Sequence, residues 1–150
     1  MALTMADKAD VKKHNDPWPA DIAAEFTREA KNPNPCVGTI LLSENERTRV
    51  WMIRLAPGER TGFHRHVLDY FWTSVNGGHG RQHVHDGSTV EYTYQPGETR
   101  HETYGKGEFK VHDLENLGDR EMVFMTVEFK DSANKPMPLP EGVRAQAQAA

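Results

Sequence analysis

Apolar residues recur with two different periods along this chain. Near the beginning, Ile22, Phe26 and Ala30 follow one another at intervals of four, until positions 32–35 (Asn-Pro-Asn-Pro) interrupt the pattern. An interval of four places apolar side chains on one face of a helix, and proline cannot continue that helix. The pattern therefore predicts a single amphipathic helix over Ala20–Lys31.

From position 37 onward, β-branched and aromatic residues come in short runs separated by Gly, Pro, Asn and Asp, as is typical of strands and turns. Asn76-Gly77 and Asp86-Gly87 suit the positive φ angles of type I′ hairpin turns, and residues 95–98 (Gln-Pro-Gly-Glu) suit a type II turn. At least eight strands are predicted, and the clearest are 37–42, Thr48–Leu55, 71–75, 81–85, Thr89–Tyr94 and Met122–Phe129.

This order of elements predicts an all-β fold, a jelly-roll β-barrel with one short N-terminal helix. A length of 150 residues fits one domain. We place that domain at 16–130, after a flexible N-terminal arm at 1–15. The tail at 131–150 is rich first in proline and then in Ala and Gln, and it is interpreted as a covering arm, a dimer-clasping arm or a disordered segment.

The composition excludes several classes of protein. A formal charge of −4 with both signs interspersed makes nucleic acid an unlikely partner, and no apolar run is long enough to cross a membrane. The first residues lack the basic and apolar regions of a secretory signal, so we expect a cytoplasmic protein. Its single cysteine, Cys36, allows no disulfide within the chain and fits a reducing compartment.

Histidine is the unusual residue in this composition, because six of the eight histidines lie between positions 64 and 101. His64 and His66 flank one residue at the start of a predicted strand. Side chains at i and i+2 of a strand share one face, so the two imidazoles are spaced as a pair of metal ligands. The alternative is two exposed histidines at a strand edge. His83 and His85 repeat the spacing just before a turn, where we favour exposed histidines over a second metal site.

Two groups of residues resemble the motifs of the cupins. Gly58 lies six positions before His64, His66 follows in the register of the first cupin motif, and Gly77 or Gly78 stands where that motif ends. The His-x-x-x-Asn ending of the second motif is matched by the run 112–116. The likeness covers about residues 50–129 and is greatest to the small single-domain cupins of the BauB-like and three-histidine dioxygenase kinds.

The resemblance implies a metal centre formed by His64, His66 and His112. His101, four residues after Gly97, is an alternative or additional ligand. Imidazole ligands suit one divalent transition metal, with Fe2+ favoured and Mn2+, Ni2+, Zn2+ and Cu2+ as alternatives.

The family's usual glutamate ligand is missing, since Tyr70 and Phe71 stand at its expected place and Asp69 lies one residue before it. We expect Asp69 to hold an imidazole nitrogen rather than the metal. The Tyr70 hydroxyl is a candidate donor or base toward substrate, or else a buried phenol bonded to backbone.

A metal ion without a carboxylate ligand keeps its double positive charge, which favours a small anionic chelating substrate such as a diketone enolate, a keto acid or a hydroxy acid. Arg54, Arg60 and Arg100 are candidate carboxylate anchors or simply solvated residues. The favoured function is an Fe2+ dioxygenase. The alternatives are a non-redox isomerase or lyase, and a binding module without turnover.

We expect a homodimer, since the edge strands of an open barrel need cover.

Overall fold

A computed structural model describes residues 11–143, which form one helix and eleven strands. The helix α1 spans Ala20–Lys31, as predicted. The strands are β1 (Lys12–His14), β2 (Ile40–Glu44), β3 (Thr48–Leu55), β4 (His64–His66), β5 (Tyr70–Ser74), β6 (Gly78–His83), β7 (Thr89–Tyr94), β8 (Thr99–Glu102), β9 (Lys110–His112), β10 (Glu115–Asn116) and β11 (Met122–Phe129).

The strands form three antiparallel sheets. The larger two have the orders β2-β3-β11-β5-β8 and β1-β7-β6-β10, and β4 pairs with β9 in a separate two-stranded ribbon. One hydrophobic core contains residues from both larger sheets, because Ile53 of β3 and Phe124 of β11 belong to the same buried cluster as Tyr94 of β7. This arrangement confirms the predicted all-β jelly-roll class.

The predicted hairpin at Asn76-Gly77 is wrong. The strands on either side, β5 and β6, belong to different sheets, and no non-glycine residue in the described part of the chain has a positive φ. The Asn76 side chain is bound to the neighbouring β11 segment, donating to the Glu121 carbonyl at 2.6 Å and accepting from the Val123 N–H at 3.0 Å. These bonds turn the segment into a corner between the sheets.

The hairpin at Asp86-Gly87 is present, but its loop is longer than predicted. The Gly87 N–H donates to the Val84 carbonyl at 2.8 Å, and Gly87 alone within the loop has a positive φ, of 92°. This is a type I turn followed by a left-handed glycine, which makes a three-residue loop rather than a type I′ turn. As a result β6 ends at His83 instead of continuing to His85.

Both termini of the described region lie against the sheets. The strand β1 pairs with β7 within the predicted N-terminal arm, of which residues 1–10 lie outside the described residues. In the tail, Leu139 and Val143 pack against the buried cluster around Trp51. Residues 144–150 lie outside the described residues, and a role of the tail in a homodimer stays a prediction.

The helix α1 is the single helix of residues 11–143, and it is too short and too polar to span a membrane.

Candidate metal centre

Three histidines converge on one face of the β4–β9 ribbon. The register pairs His64 with His112, while His66 follows His64 at the i+2 position of β4. Alternation along a strand therefore directs all three rings to the same side. One ring nitrogen from each residue lies within 4.8 Å of the others, so the structure brings together three of the four histidines proposed from the sequence.

Two carbonyl groups fix the orientation of two of these rings. The His64 Nδ1 donates to the Gly62 carbonyl at 3.0 Å, and the His112 Nδ1 donates to the Gln82 amide oxygen at 2.7 Å. A carbonyl oxygen accepts hydrogen bonds only, so the ring proton of each histidine is on Nδ1. Each Nε2 therefore presents a lone pair to the centre of the cluster, as in protein metal sites.

The position of the His66 ring tests whether a metal ion fits. The Nε2 atoms of His66 and His112 are 3.1 Å apart, and the buried Nδ1 of His66 has no hydrogen-bond partner. Two nitrogens that each bind an ion at about 2.1 Å lie roughly 3 Å apart when they occupy adjacent positions around it. The nitrogen separation and the imidazole donors thus fit a divalent transition metal.

Burial keeps these imidazoles neutral. It lowers the pKa of His64 from 6.5 to about 4, and it lowers the pKa values of His66 and His112 well below the ordinary value. The positive charge of nearby Lys110 lowers all three pKa values further. Neutral imidazole is the form that binds metal ions, so the cluster is ready to bind at neutral pH.

The helix α1 holds the outer side of β4. Glu29 accepts a charged hydrogen bond from Arg65, the residue between the two histidines of β4, at 2.9 Å. Asn34, just after the helix, accepts the Arg65 backbone N–H at 2.8 Å and donates its own N–H to Glu29 at 2.9 Å. The β4 backbone is therefore fixed on both edges, by β9 on one side and by this segment on the other.

A buried ionic network lies next to His112. The carboxylate of Asp113, which is fully buried, accepts hydrogen bonds from Arg60 at 2.6 Å and from the His83 ring at 2.8 Å. Arg60 also binds both carboxylate oxygens of Glu25, at 3.0 and 2.9 Å. These bonds hold the Arg60 guanidinium to two carboxylates of the protein itself.

Asp69 does not hold an imidazole, contrary to the sequence-based expectation. Its carboxylate accepts the Tyr104 backbone N–H at 3.0 Å, and no hydrogen bond joins it to a histidine among the described residues. The shorter aspartate starts one position before the family's ligand place and is directed to the loop after β8 instead.

Tyr70 lies in the site, but in a packing role. Its buried ring stacks on His66 with centroids 4.1 Å apart and planes 13° apart. Burial raises the pKa of its phenol well above 10, so the hydroxyl keeps its proton at neutral pH. The raised pKa argues against a role as a base toward substrate.

His101 lies outside the cluster. Its strand β8 pairs with β5, and His101 is the partner of Phe71 on the exposed side of that sheet, with ring centroids 5.4 Å apart. The residue before Phe71 in β5, Tyr70, is buried, because neighbouring side chains of a strand point to opposite faces of the sheet. His112 lies in a different sheet, because its strand β9 pairs with β4.

Two neighbouring spaces lie beside the cluster and share some of their lining residues. An inner cavity of about 40 Å³ lies beside all three rings, and its walls include Ile53 and Phe124. An outer vestibule of about 210 Å³ is lined by charged residues, among them Lys110 and Glu102. The residues that line both spaces are Trp72, Gln82, Tyr94 and His112.

Sequence reasoning missed Gln82 and Lys110. Lys110 was detectable, since it precedes His112 by two positions and so shares its strand face. Gln82 carried no local signal, because its contact with His112 joins residues 30 positions apart.

Solved structures with this architecture include other cupins. The chain is similar to a cupin domain from Bordetella pertussis Tohama I, with 30% identity, a TM-score of 0.53, and coverage of 60% of this chain and 88% of that one. It is also similar to a protein with a double-stranded β-helix domain from Klebsiella pneumoniae subsp. pneumoniae MGH 78578, with 21% identity, a TM-score of 0.49, and coverage of 63% and 76%.

A third similar structure is a sugar phosphate isomerase of the cupin superfamily from Silicibacter pomeroyi DSS-3, with 16% identity, a TM-score of 0.43, and coverage of 80% of this chain and 71% of that one. No protein-family model and no curated protein matches the sequence. The Bordetella domain is matched over most of its length at 30% identity. By its strand architecture and this relative, the chain belongs to the cupin superfamily.

Proposed function

We propose that this chain is a metal-dependent enzyme that acts on a small anionic chelating substrate, and that its reaction is a dioxygenation at Fe2+. One observation carries the proposal: three imidazoles, two buried and one half-buried, converge within 4.8 Å without a carboxylate among them. Three protein ligands leave open positions on a metal ion, which is the arrangement of a catalytic site rather than a structural one.

His64, His66 and His112 would hold the ion through their Nε2 atoms. When bound, Fe2+ would relay electrons from the substrate to dioxygen and act as a Lewis acid for the oxygens of the substrate, and the substrate is the net reductant. Because the three ligands are neutral, the full double positive charge remains to attract an anion. Gly62 and Gln82 keep the His64 and His112 rings oriented for binding by accepting their Nδ1 protons.

The two neighbouring spaces differ in size, so they suit reactants of different size. The inner cavity of about 40 Å³ has room for water-sized or diatomic molecules, and aliphatic and aromatic side chains form much of its wall. The vestibule of about 210 Å³ accommodates a small organic molecule beside charged side chains. Tyr70 supports this arrangement by packing on His66 and keeping its hydroxyl protonated.

The test is metal analysis of protein purified without a histidine tag, followed by an oxygen-electrode screen of diketones and keto acids. We expect about one metal ion per chain and dioxygen consumption that requires Fe2+ and equals substrate loss. The variant His64→Ala should lack both properties.

Two other outcomes would contradict the dioxygenase proposal. Substrate conversion without dioxygen indicates a non-redox isomerase or lyase, and metal-dependent binding without conversion indicates a binding module.

A further inference from the structure

Lys110 completes a square of side chains with the three histidines. In the β4–β9 register it is the partner of His66, while His64 is the partner of His112. Lys110 and His112 are two residues apart on β9, so their side chains lie on the same face of the ribbon. The fourth corner of the candidate metal centre is therefore a cation.

The ammonium group of Lys110 has no hydrogen bond or ion pair within residues 11–143. Glu102 and Asp86 act on it only through longer-range attraction. Other half-buried or buried cations of this fold have direct carboxylate partners: Arg49 binds Glu44 at 2.7 Å, and Arg65 binds Glu29 at 2.9 Å. A partly desolvated charge without a partner is unfavourable, which points to a partner from outside the chain.

The position of Lys110 indicates where that partner would lie. Lys110 lines the vestibule together with His112, so a molecule in that space lies next to the candidate metal centre and the ammonium group at once. Arg100 lines the same vestibule, but its guanidinium donates to the Tyr92 hydroxyl at 2.9 Å and to Glu98 at 3.3 Å. Lys110 is thus the better placed of the two cations for binding a ligand.

We propose that Lys110 binds a carboxylate of the substrate, and that the substrate class is an α-keto or α-hydroxy carboxylate rather than a simple diketone. The inference rests on the proposed metal site. A diketone enolate has one negative charge, shared by the two oxygens that chelate the metal, so it leaves no anionic group for Lys110. A chelating carboxylate has a further anionic oxygen for the ammonium group, in a charge-assisted hydrogen bond.

The experiment uses the full chain loaded with Co2+, whose visible absorption reports ligand binding. Two chelating probes are titrated, oxalate with two negative charges and acetylacetonate with one. The variants are Lys110→Met, Lys110→Gln and Lys110→Arg. Lys106→Met, in the exposed 105–107 turn, is the matched control.

We expect Lys110→Met and Lys110→Gln to retain one Co2+ per chain and to bind oxalate about 10- to 100-fold more weakly, the range for loss of a hydrogen bond between charged groups. Their acetylacetonate affinity should change less than about threefold. Lys110→Arg should restore most of the oxalate affinity, and Lys106→Met should behave as the unmodified protein.

Unchanged oxalate binding in both neutral variants would overturn the inference, since it would mean that the ammonium group extends into solvent. An equal loss for both probes, or loss of Co2+ itself, would also overturn it and assign Lys110 to the metal site in general. If the unmodified chain binds no Co2+, the proposed function fails, and this outcome is distinct from the others.

Discussion

The chain contains the His-x-His pattern twice, and the two copies lie in different structural environments. His64 and His66 lie within β4, both buried and on one face. His83 is the last residue of β6, and His85 lies beyond it in the exposed loop that ends at Gly87. The same spacing therefore yields convergent imidazoles in one place and separated ones in the other. The spacing acts as a metal motif only where the strand continues through both histidines.

The hydrogen-bond partners of the two copies differ as well. In β4, His64 binds a neutral carbonyl that leaves one ring nitrogen available. In the second copy, His83 binds the buried carboxylate of Asp113, and the His85 ring accepts the Val111 backbone N–H at 3.0 Å. The second pair thus stabilises the fold, whereas the first pair is available to an ion.

Removing a ring from each copy should separate these roles most clearly. We expect His64→Ala, His66→Ala or His112→Ala to reduce metal affinity by more than the roughly 10- to 100-fold that loss of an outer partner costs. His85→Ala should retain the metal. Inductively coupled plasma mass spectrometry after gel filtration measures the metal content per chain.

Two further controls sharpen that result. His79→Ala and His101→Ala should also retain the metal, because neither ring belongs to the cluster in the described residues. Metal loss in His101→Ala, with retention in His112→Ala, would reverse the assignment of the third ligand.

The second largest effect should come from Asp113. Asp113→Asn removes the buried carboxylate that binds both Arg60 and the His83 ring, so that Arg60 keeps only Glu25 as a charged partner. Breaking a buried ion pair costs about 3–5 kcal/mol of unfolding free energy. Urea denaturation of the metal-free protein measures this change. A loss below about 1 kcal/mol would contradict a stabilising role for the second copy.

Substitution of Gln82 should have an intermediate effect, which concerns metal affinity at the site that contains His64 and His66. Gln82→Leu removes the acceptor that orients His112, and we expect metal affinity to fall about 10- to 100-fold. It also removes the donor to the buried Tyr94 hydroxyl, so unfolding free energy should fall by about 1–3 kcal/mol. Gln95→Leu, at an exposed turn position, is the control. Competition with a chromophoric chelator gives the affinities, and equal values for both variants would contradict the role of Gln82.

Acidification should have a smaller, graded effect. The folded protein holds the pKa of His64 near 4, below the ordinary 6.5, so the unfolded chain binds protons more strongly between these values. Stability of the metal-free protein should therefore fall as pH decreases from about 6.5 to 4.

Glu128 gives this pH dependence a matched control of opposite sign. Burial raises its pKa to about 7, so the folded state binds a proton more strongly between about 4.5 and 7. Its contribution to stability falls as pH rises through that range. In Glu128→Gln, the loss of stability on acidification should be steeper than in the unmodified chain. Denaturation midpoints across this pH range check the slope, and a shallower slope would contradict the assignment.

Local patterns predicted the elements that are determined locally. Helix α1 and the strands β3 and β11 have the predicted bounds, because an amphipathic period or a long β-branched run with clear turns defines each of them. The prediction that His64 and His66 share one face of a strand required strand alternation alone. The third histidine of the cluster depended on the likeness to the cupin motif.

Features that depend on distant pairing could not be predicted in this way. Asp113 meets Arg60 across 53 positions of sequence, and no local signal shows the contact. The corner at Asn76 depends on a side-chain bond to the segment before β11, 45 positions away. Asp69 was misjudged because its target, the Tyr104 N–H, is set by the loop after β8.

The β4–β9 ribbon joins two parts of the chain that are far apart, with His66 and His112 separated by 46 positions. An ion held by both strands would therefore act as a reversible cross-link, closing a long loop much as a disulfide does. At a free metal concentration about 100 times the dissociation constant, such binding adds about 2.7 kcal/mol to folding stability. The lifetime of the protein in a cell would then follow the local supply of metal, and starvation for the metal would mark the chain for degradation.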